Sequence, residues 1–167
     1  MTSKEFVDAT SFLGMNSAEE QERLSCLRFF AARLDGSLGI SAEQVGICDD
    51  TVWGFSRQEQ DDYYPFMDNL HTVLRFERLT YTEADLASAL SSDYPGLPVT
   101  DRLTLAMVSN HDAVLYTLNP RLLALPDAPV RHPAAGAEQD AAFPDWLDQL
   151  YRTSLALRVP PVGVLTP

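Results

Sequence analysis

Short apolar runs alternate with helical stretches whose first turns carry side-chain caps, and this alternation leaves the chain few architectures. Ser17 with Glu20, Ser56 with Glu59 and Thr82 with Asp85 have the spacing of a capping box, and Ser41 caps a helix through Gln44. Apolar runs at residues 5–14, 38–40, 75–81 and 113–118 read as strands. Between them lie stripes at three- and four-residue steps: Leu24, Leu27, Phe30, Ala31 and Leu34, then Tyr63, Phe66, Met67, Leu70, Val73 and Leu74. Pro65 falls inside the second stripe and is expected to bend that helix or mark a restart. A helix over residues 99–110 follows a loop rich in Ser, Pro and Gly, and Asn119-Pro120 opens a short helical turn. Strands separated by helices imply parallel pairing with both faces covered. The expected fold is a three-layer α/β/α sandwich around a mostly parallel sheet of four to five strands.

The composition changes at Pro126. Residues 1–125 read as one domain, and 126–142 as a linker rich in Pro and Ala. Residues 143–167 read as a C-terminal helix and an apolar tail. Phe143, Trp146, Leu147, Leu150, Tyr151 and Leu155 form a stripe on that helix. Either it or the stripe over residues 63–74 is expected to meet a protein partner or a second copy of the chain.

Two features bear on compartment. Cys26 and Cys48 have neither zinc-like spacing nor a secreted framework. The apolar run that follows Met1-Thr2-Ser3-Lys4-Glu5 is too short for a signal peptide and holds Asp8, and no run is long enough to span a membrane. A cytoplasmic chain without membrane attachment is expected. The net charge is −12 with only 12 Lys and Arg, none of them in a run, which disfavours RNA as an unaided ligand.

In a parallel sheet, ligands collect beyond the carboxyl ends of the strands. Topology places four residues at that edge. Asp8 lies late in the first run, Glu43 opens the helix after the second, Asp101 opens the helix that leads into the fourth, and Asn119 follows the fourth. Three carboxylates in one cleft repel each other unless a cation intervenes. Mg²⁺ or Mn²⁺ suits such oxygen ligands, with Asp8, Glu43 and Asp101 as metal ligands and Asn119 assisting.

These segments resemble the motifs of the PIN-domain nucleases. Phe6-Val7-Asp8-Ala9-Thr10-Ser11-Phe12-Leu13 is similar to the first motif, and Ser41-Ala42-Glu43 to the second acidic position. Asp101-Arg102-Leu103-Thr104-Leu105-Ala106 resembles the third, and Val114-Leu115-Tyr116-Thr117-Leu118-Asn119 the last strand. The resemblance covers roughly residues 4–125, departs at Asn119, where an aspartate is common, and leaves the C-terminal tail as an addition. It implies a Mg²⁺- or Mn²⁺-dependent ribonuclease that cleaves RNA phosphodiester bonds. Asn119 and the scarcity of basic residues support the other expectation, a catalytically degenerate subunit of the same fold that binds a protein partner. The remaining candidates are bland. His71, His111 and His132 show no ligand spacing, Asp49-Asp50 and Asp61-Asp62 read as solvated helix faces, and no nucleophile elbow or phosphate-binding glycine loop is present.

Overall fold

A computed structural model describes residues 4–161. Five strands form one sheet: β1 (Glu5–Val7), β2 (Ser37–Ser41), β3 (Arg75–Leu79), β4 (Val114–Tyr116) and β5 (Val130–Arg131). Their order is β3-β2-β1-β4-β5 and every pairing is parallel. The chain steps outward from β1 to β3, then returns to place β4 on the other side of β1. The reversal at β1–β4 is the switch point where a cleft opens at the carboxyl edge.

Side chains alternate across the sheet and so define two covering layers. Val7 and Tyr116 face one apolar cluster, whereas Phe6 and Leu115 face the other. The first layer holds α1 (Ala9–Gly14), α2 (Glu20–Ala31), α3 (Ala42–Trp53), α4 (Arg57–Val73) and, at the end, α8 (Asp145–Ser154). Its centre is a chain of rings, Phe12 on Phe30 and Phe76, and Phe29 on Phe30 and Tyr116. The second layer holds α5 (Glu83–Leu90), α6 (Val99–Asn110) and α7 (Pro120–Leu123), with Met107, Val108 and Leu122 against the sheet. The expected three-layer sandwich is therefore present, with an all-parallel sheet. Gly39 in β2 is required by crowding, because a Cβ there would lie 2.7 Å from Cζ of Phe6.

Several elements differ from expectation for local reasons. The first strand stops at Val7, because Asp8 is an N-cap and turns the chain into α1; Phe12 and Leu13 are buried helix residues. The second helix is capped by Glu19, whose carboxylate accepts from the amides of Gln21 and Glu22, and not by Ser17. Pro65 does not restart α4, which stays helical over Arg57–Val73 with the proline ring on its exposed side.

The segment expected as a linker, 126–142, carries β5 and the 3₁₀ turn Pro133–Gly136. Arg33, in the turn after α2, donates to the Gly136 carbonyl at 2.7 Å and pairs with Glu5 at 2.8 Å, holding the 3₁₀ turn to the sheet. The C-terminal helix lies on α4, so the two stripes expected to meet a partner cover each other. Phe66 contacts Phe143 and Tyr151, with ring centroids 5.5 and 5.2 Å apart, and the Tyr151 hydroxyl donates to the Met15 carbonyl at 2.7 Å. Trp146 stays 46% exposed on the outer side of α8.

Beyond α8 the backbone returns to the end of α1. Val159 pairs with Ser17 in a parallel bridge, the Asn16 amide group donates to the carbonyls of Ser154 and Leu157, and Val159 is fully buried. Of the expected apolar end at 159–167, residues 162–167 lie outside the described residues. No helix among the described residues is long and apolar enough to cross a membrane.

Candidate functional site at the carboxyl edge

Asp8 leaves β1 in an extended conformation, and its carboxylate caps α1 by accepting from the amides of Thr10 and Ser11. Two hydroxyls add to it: Thr10 Oγ1 donates to Oδ1 at 2.6 Å, and Thr117 Oγ1 donates to Oδ2 at 2.5 Å. Both threonines accept in turn. Thr10 Oγ1 takes the Leu118 amide at 2.8 Å, and Thr117 Oγ1 takes the Asn119 amide at 2.9 Å. Asp8 thus stitches the turn after β1 to the turn after β4. Burial pushes its carboxyl above the ordinary aspartate value, and the bonds from Thr10, Thr117 and the Ser11 amide offset part of that rise.

Asp101 stands in the first turn of α6 and is also buried. Its Oδ1 accepts from the Asn119 side-chain amide at 3.1 Å, and its Oδ2 pairs with Nε of Arg121 at 2.8 Å. Asn119 turns its own carbonyl oxygen to the Arg121 amide and so caps α7. A guanidinium and an amide therefore both engage the Asp101 carboxylate.

A cavity of about 400 Å³ opens at this edge, and Asp8, Asp101 and Asn119 all line it. Glu43 does not. Its carboxylate accepts from the Tyr81 hydroxyl at 2.8 Å, and the neighbouring Gln44 reaches the cavity instead. Gln44 Oε1 accepts from the Ala9 amide at 2.9 Å, and its Nε2 donates to Thr104 Oγ1 at 3.4 Å. Burial pushes the Tyr81 hydroxyl up to about 12, so it remains a donor to Glu43 at neutral pH. Ile47, one turn beyond Gln44, brings an apolar wall, and Asp50 an exposed carboxylate at the rim.

The structure thus brings together three of the four residues expected at the edge and adds Gln44, Thr104 and Arg121. Gln44 had a sequence signal in its place on α3, since it shares a helical face with Ile47 and Thr51. Arg121 had none, because twenty residues and a strand separate it from Asp101. The residues present fit a divalent cation poorly. Among the described residues, no three His, Cys, Asp or Glu side chains come together in a way that could hold a metal ion. The arrangement is a hydrogen-bonding cavity with one buried carboxylate among hydroxyls and one internal ion pair.

The fold and this edge define an open parallel α/β domain with a polar cleft at its switch point. The chain belongs to a family of unknown function, DUF6190, whose profile matches residues 1–164. That match corrects the resemblance to PIN-domain nucleases, since no PIN-domain family is detected and the family that is found spans nearly the whole chain, C-terminal segment included. No curated protein and no solved structure matches the chain.

Proposed function

We propose that this protein is a non-catalytic α/β subunit that works by binding another protein. The observation that carries this reading is the Asp101–Arg121 pair at 2.8 Å. A carboxylate in a hydrolytic metal site must be free for the cation, and here a guanidinium and the Asn119 amide hold it. Asp8 supports the same reading, because burial favours its neutral form and four donors fix it in a structural turn. With Tyr151 and Phe143 turned inward, Trp146 on the outer side of α8 is the aromatic of that stripe left for a partner, and Trp53 at the end of α3 is a second exposed ring. The net charge of −12 favours a partner with a basic face.

A second reading, an RNA-cleaving enzyme using Mg²⁺ or Mn²⁺, draws on one observation. Asp8, Asp101 and Asn119 line one cavity at the edge where such sheets bind ligands. Incubation with structured RNA and Mn²⁺, beside calorimetric Mn²⁺ titration, separates the two. The binding-subunit reading expects no cleavage and the same negligible metal heat for wild type and Asp8→Asn. Cleavage or tight Mn²⁺ binding that Asp8→Asn abolishes would establish the second reading at the expense of the first.

A further inference from the structure

A second cavity, of about 350 Å³, lies on the other side of α3 from the cleft. The helix separates the two: Gln44, Ile47 and Thr51 face the cleft, whereas Val45, Cys48, Asp49 and Val52 face this cavity. Its floor and walls come from Phe12, Ile40, Tyr63, Met67 and Phe76, on α1, β2, α4 and β3. A space of this size, lined by rings and aliphatic groups with a few polar atoms, has the make-up of a small-molecule site.

The polar atoms share one character. Tyr63 is only 2% exposed, yet its hydroxyl makes no hydrogen bond among the described residues, and burial pushes its ionisation well above the ordinary tyrosine value. That oxygen is not sealed in the core: it opens on the cavity, where a ligand or a water can complete it. Asp49 and Asp68, from α3 and α4, reach the same cavity, and their carboxylates form neither an ion pair nor a hydrogen bond among the described residues. Tyr64 lines the same cavity, and both carboxylates act on its hydroxyl. His71 adds a further acceptor. Its Nδ1 lies 2.7 Å from the Met67 carbonyl and must donate to it, which leaves Nε2 of the neutral ring as a lone pair. Arg78 is the cation among the lining residues, and it comes from β3, not from the α3–α4 side.

We propose that this cavity is a binding site for a small aromatic amine, its ring among Phe12, Tyr63, Met67 and Phe76 and its ammonium at Asp49 and Asp68. Unpaired carboxylates beside an aromatic face attract a cation twice over, through charge and through the ring quadrupole. The field of a chain with net charge −12 adds to the attraction. The Tyr63 hydroxyl gives a ligand with a ring hydroxyl a partner at depth. This site is independent of the cleft and of the function proposed for it.

Tyramine is the probe, titrated by calorimetry into the full chain, with phenethylamine and hydroxyphenylpropionate as companions. Tyramine is expected to bind, and the propionate, of similar shape but opposite charge, to bind at least about tenfold more weakly. Asp68→Asn, at an exposed position where folding is not at stake, should weaken tyramine about five- to tenfold. Tyr63→Phe should weaken tyramine about threefold or more and leave phenethylamine unchanged. Absence of tyramine binding at millimolar concentration, equal binding of the propionate, or an Asp68→Asn variant that binds tyramine like wild type overturns the proposal. So does a Tyr63→Phe variant that treats the two amines alike.

Discussion

Replacing Asp8 distinguishes a structural carboxylate from a functional one. Asp8→Ala removes an N-cap, worth about 1 kcal/mol, and leaves the hydroxyls of Thr10 and Thr117 without their shared acceptor. Each buried donor so stranded costs about 1–3 kcal/mol, although the two hydroxyls, 3.1 Å apart, can partly satisfy each other. The expected loss is about 3–4 kcal/mol. With a denaturant slope of about 2 kcal/mol per molar urea, the midpoint falls by roughly 1.5–2 M. Asp8→Asn should behave differently. Its carbonyl oxygen keeps the contacts to the Thr10 and Ser11 amides and to Thr10 Oγ1, while its amide donates to Thr117 Oγ1 and the Thr117 hydrogen turns to Thr10. A loss of no more than about 1 kcal/mol follows.

The pH dependence has a definite sign. The folded state raises the Asp8 pKa above 3.8, so the folded chain holds this proton more firmly than the unfolded chain. The stability contributed by protonated Asp8 is fully present below about 3.8 and is lost as pH rises through the higher folded value. The difference in stability between wild type and Asp8→Asn should therefore move against wild type as pH rises through that window. Urea unfolding followed by the fluorescence of Trp53 and Trp146, at a series of pH values, measures both effects. If Asp8→Asn is destabilised as much as Asp8→Ala, or if the difference moves in favour of wild type with rising pH, the turn requires a charged carboxylate and the structural reading fails.

Three further outcomes are expected. Arg121→Ala should cost only about 1 kcal/mol, since the arginine is partly open to solvent, and should raise Mn²⁺ affinity in calorimetry by freeing Asp101; unchanged affinity would show that Arg121 does not hold the place of a cation. Gly39→Ala should destabilise by about 1–3 kcal/mol in urea titration, because the added Cβ meets the Phe6 ring at 2.7 Å; a neutral result would mean that the β1–β2 contact yields freely. Leu147→Ala, at a fully buried position between α8 and α4, should cost about 2–5 kcal/mol by the same measurement, whereas a helix docked only loosely would lose less than about 1 kcal/mol.

What the sequence disclosed follows the range of the interactions involved. Ser41, Ser56 with Glu59 and Thr82 with Asp85 act within one turn, and all three cap helices at the positions their spacing implies. The sheet class followed from the same local signals. Asp8 misled about its strand because burial continues through Phe12 and Leu13 into α1, so the apolar run has no visible break. β5 pairs through the backbone of two residues in a segment rich in Pro and Ala, where side-chain pattern carries no signal. Glu43 and Gln44 differ by about 100° around α3, and only packing against α1 and α6 decides which of them reaches the cleft. The stripes on α4 and α8 were both legible, but periodicity gives an apolar face without naming what covers it.

The return of the backbone to Asn16 and Ser17 sets an order on biosynthesis. Asn16 waits for an acceptor 141 residues downstream, and Ala18 for the carbonyl of Val159. At a translation rate of roughly 5–20 residues per second, that delay is on the order of 10 s. For about the second half of it, from the end of α4 at Val73 to the start of α8 at Asp145, the aromatic face of α4 has been made and its cover has not. The nascent chain therefore spends that interval with a sticky surface exposed, and damage to α8 would prolong the exposure as well as weaken the folded state.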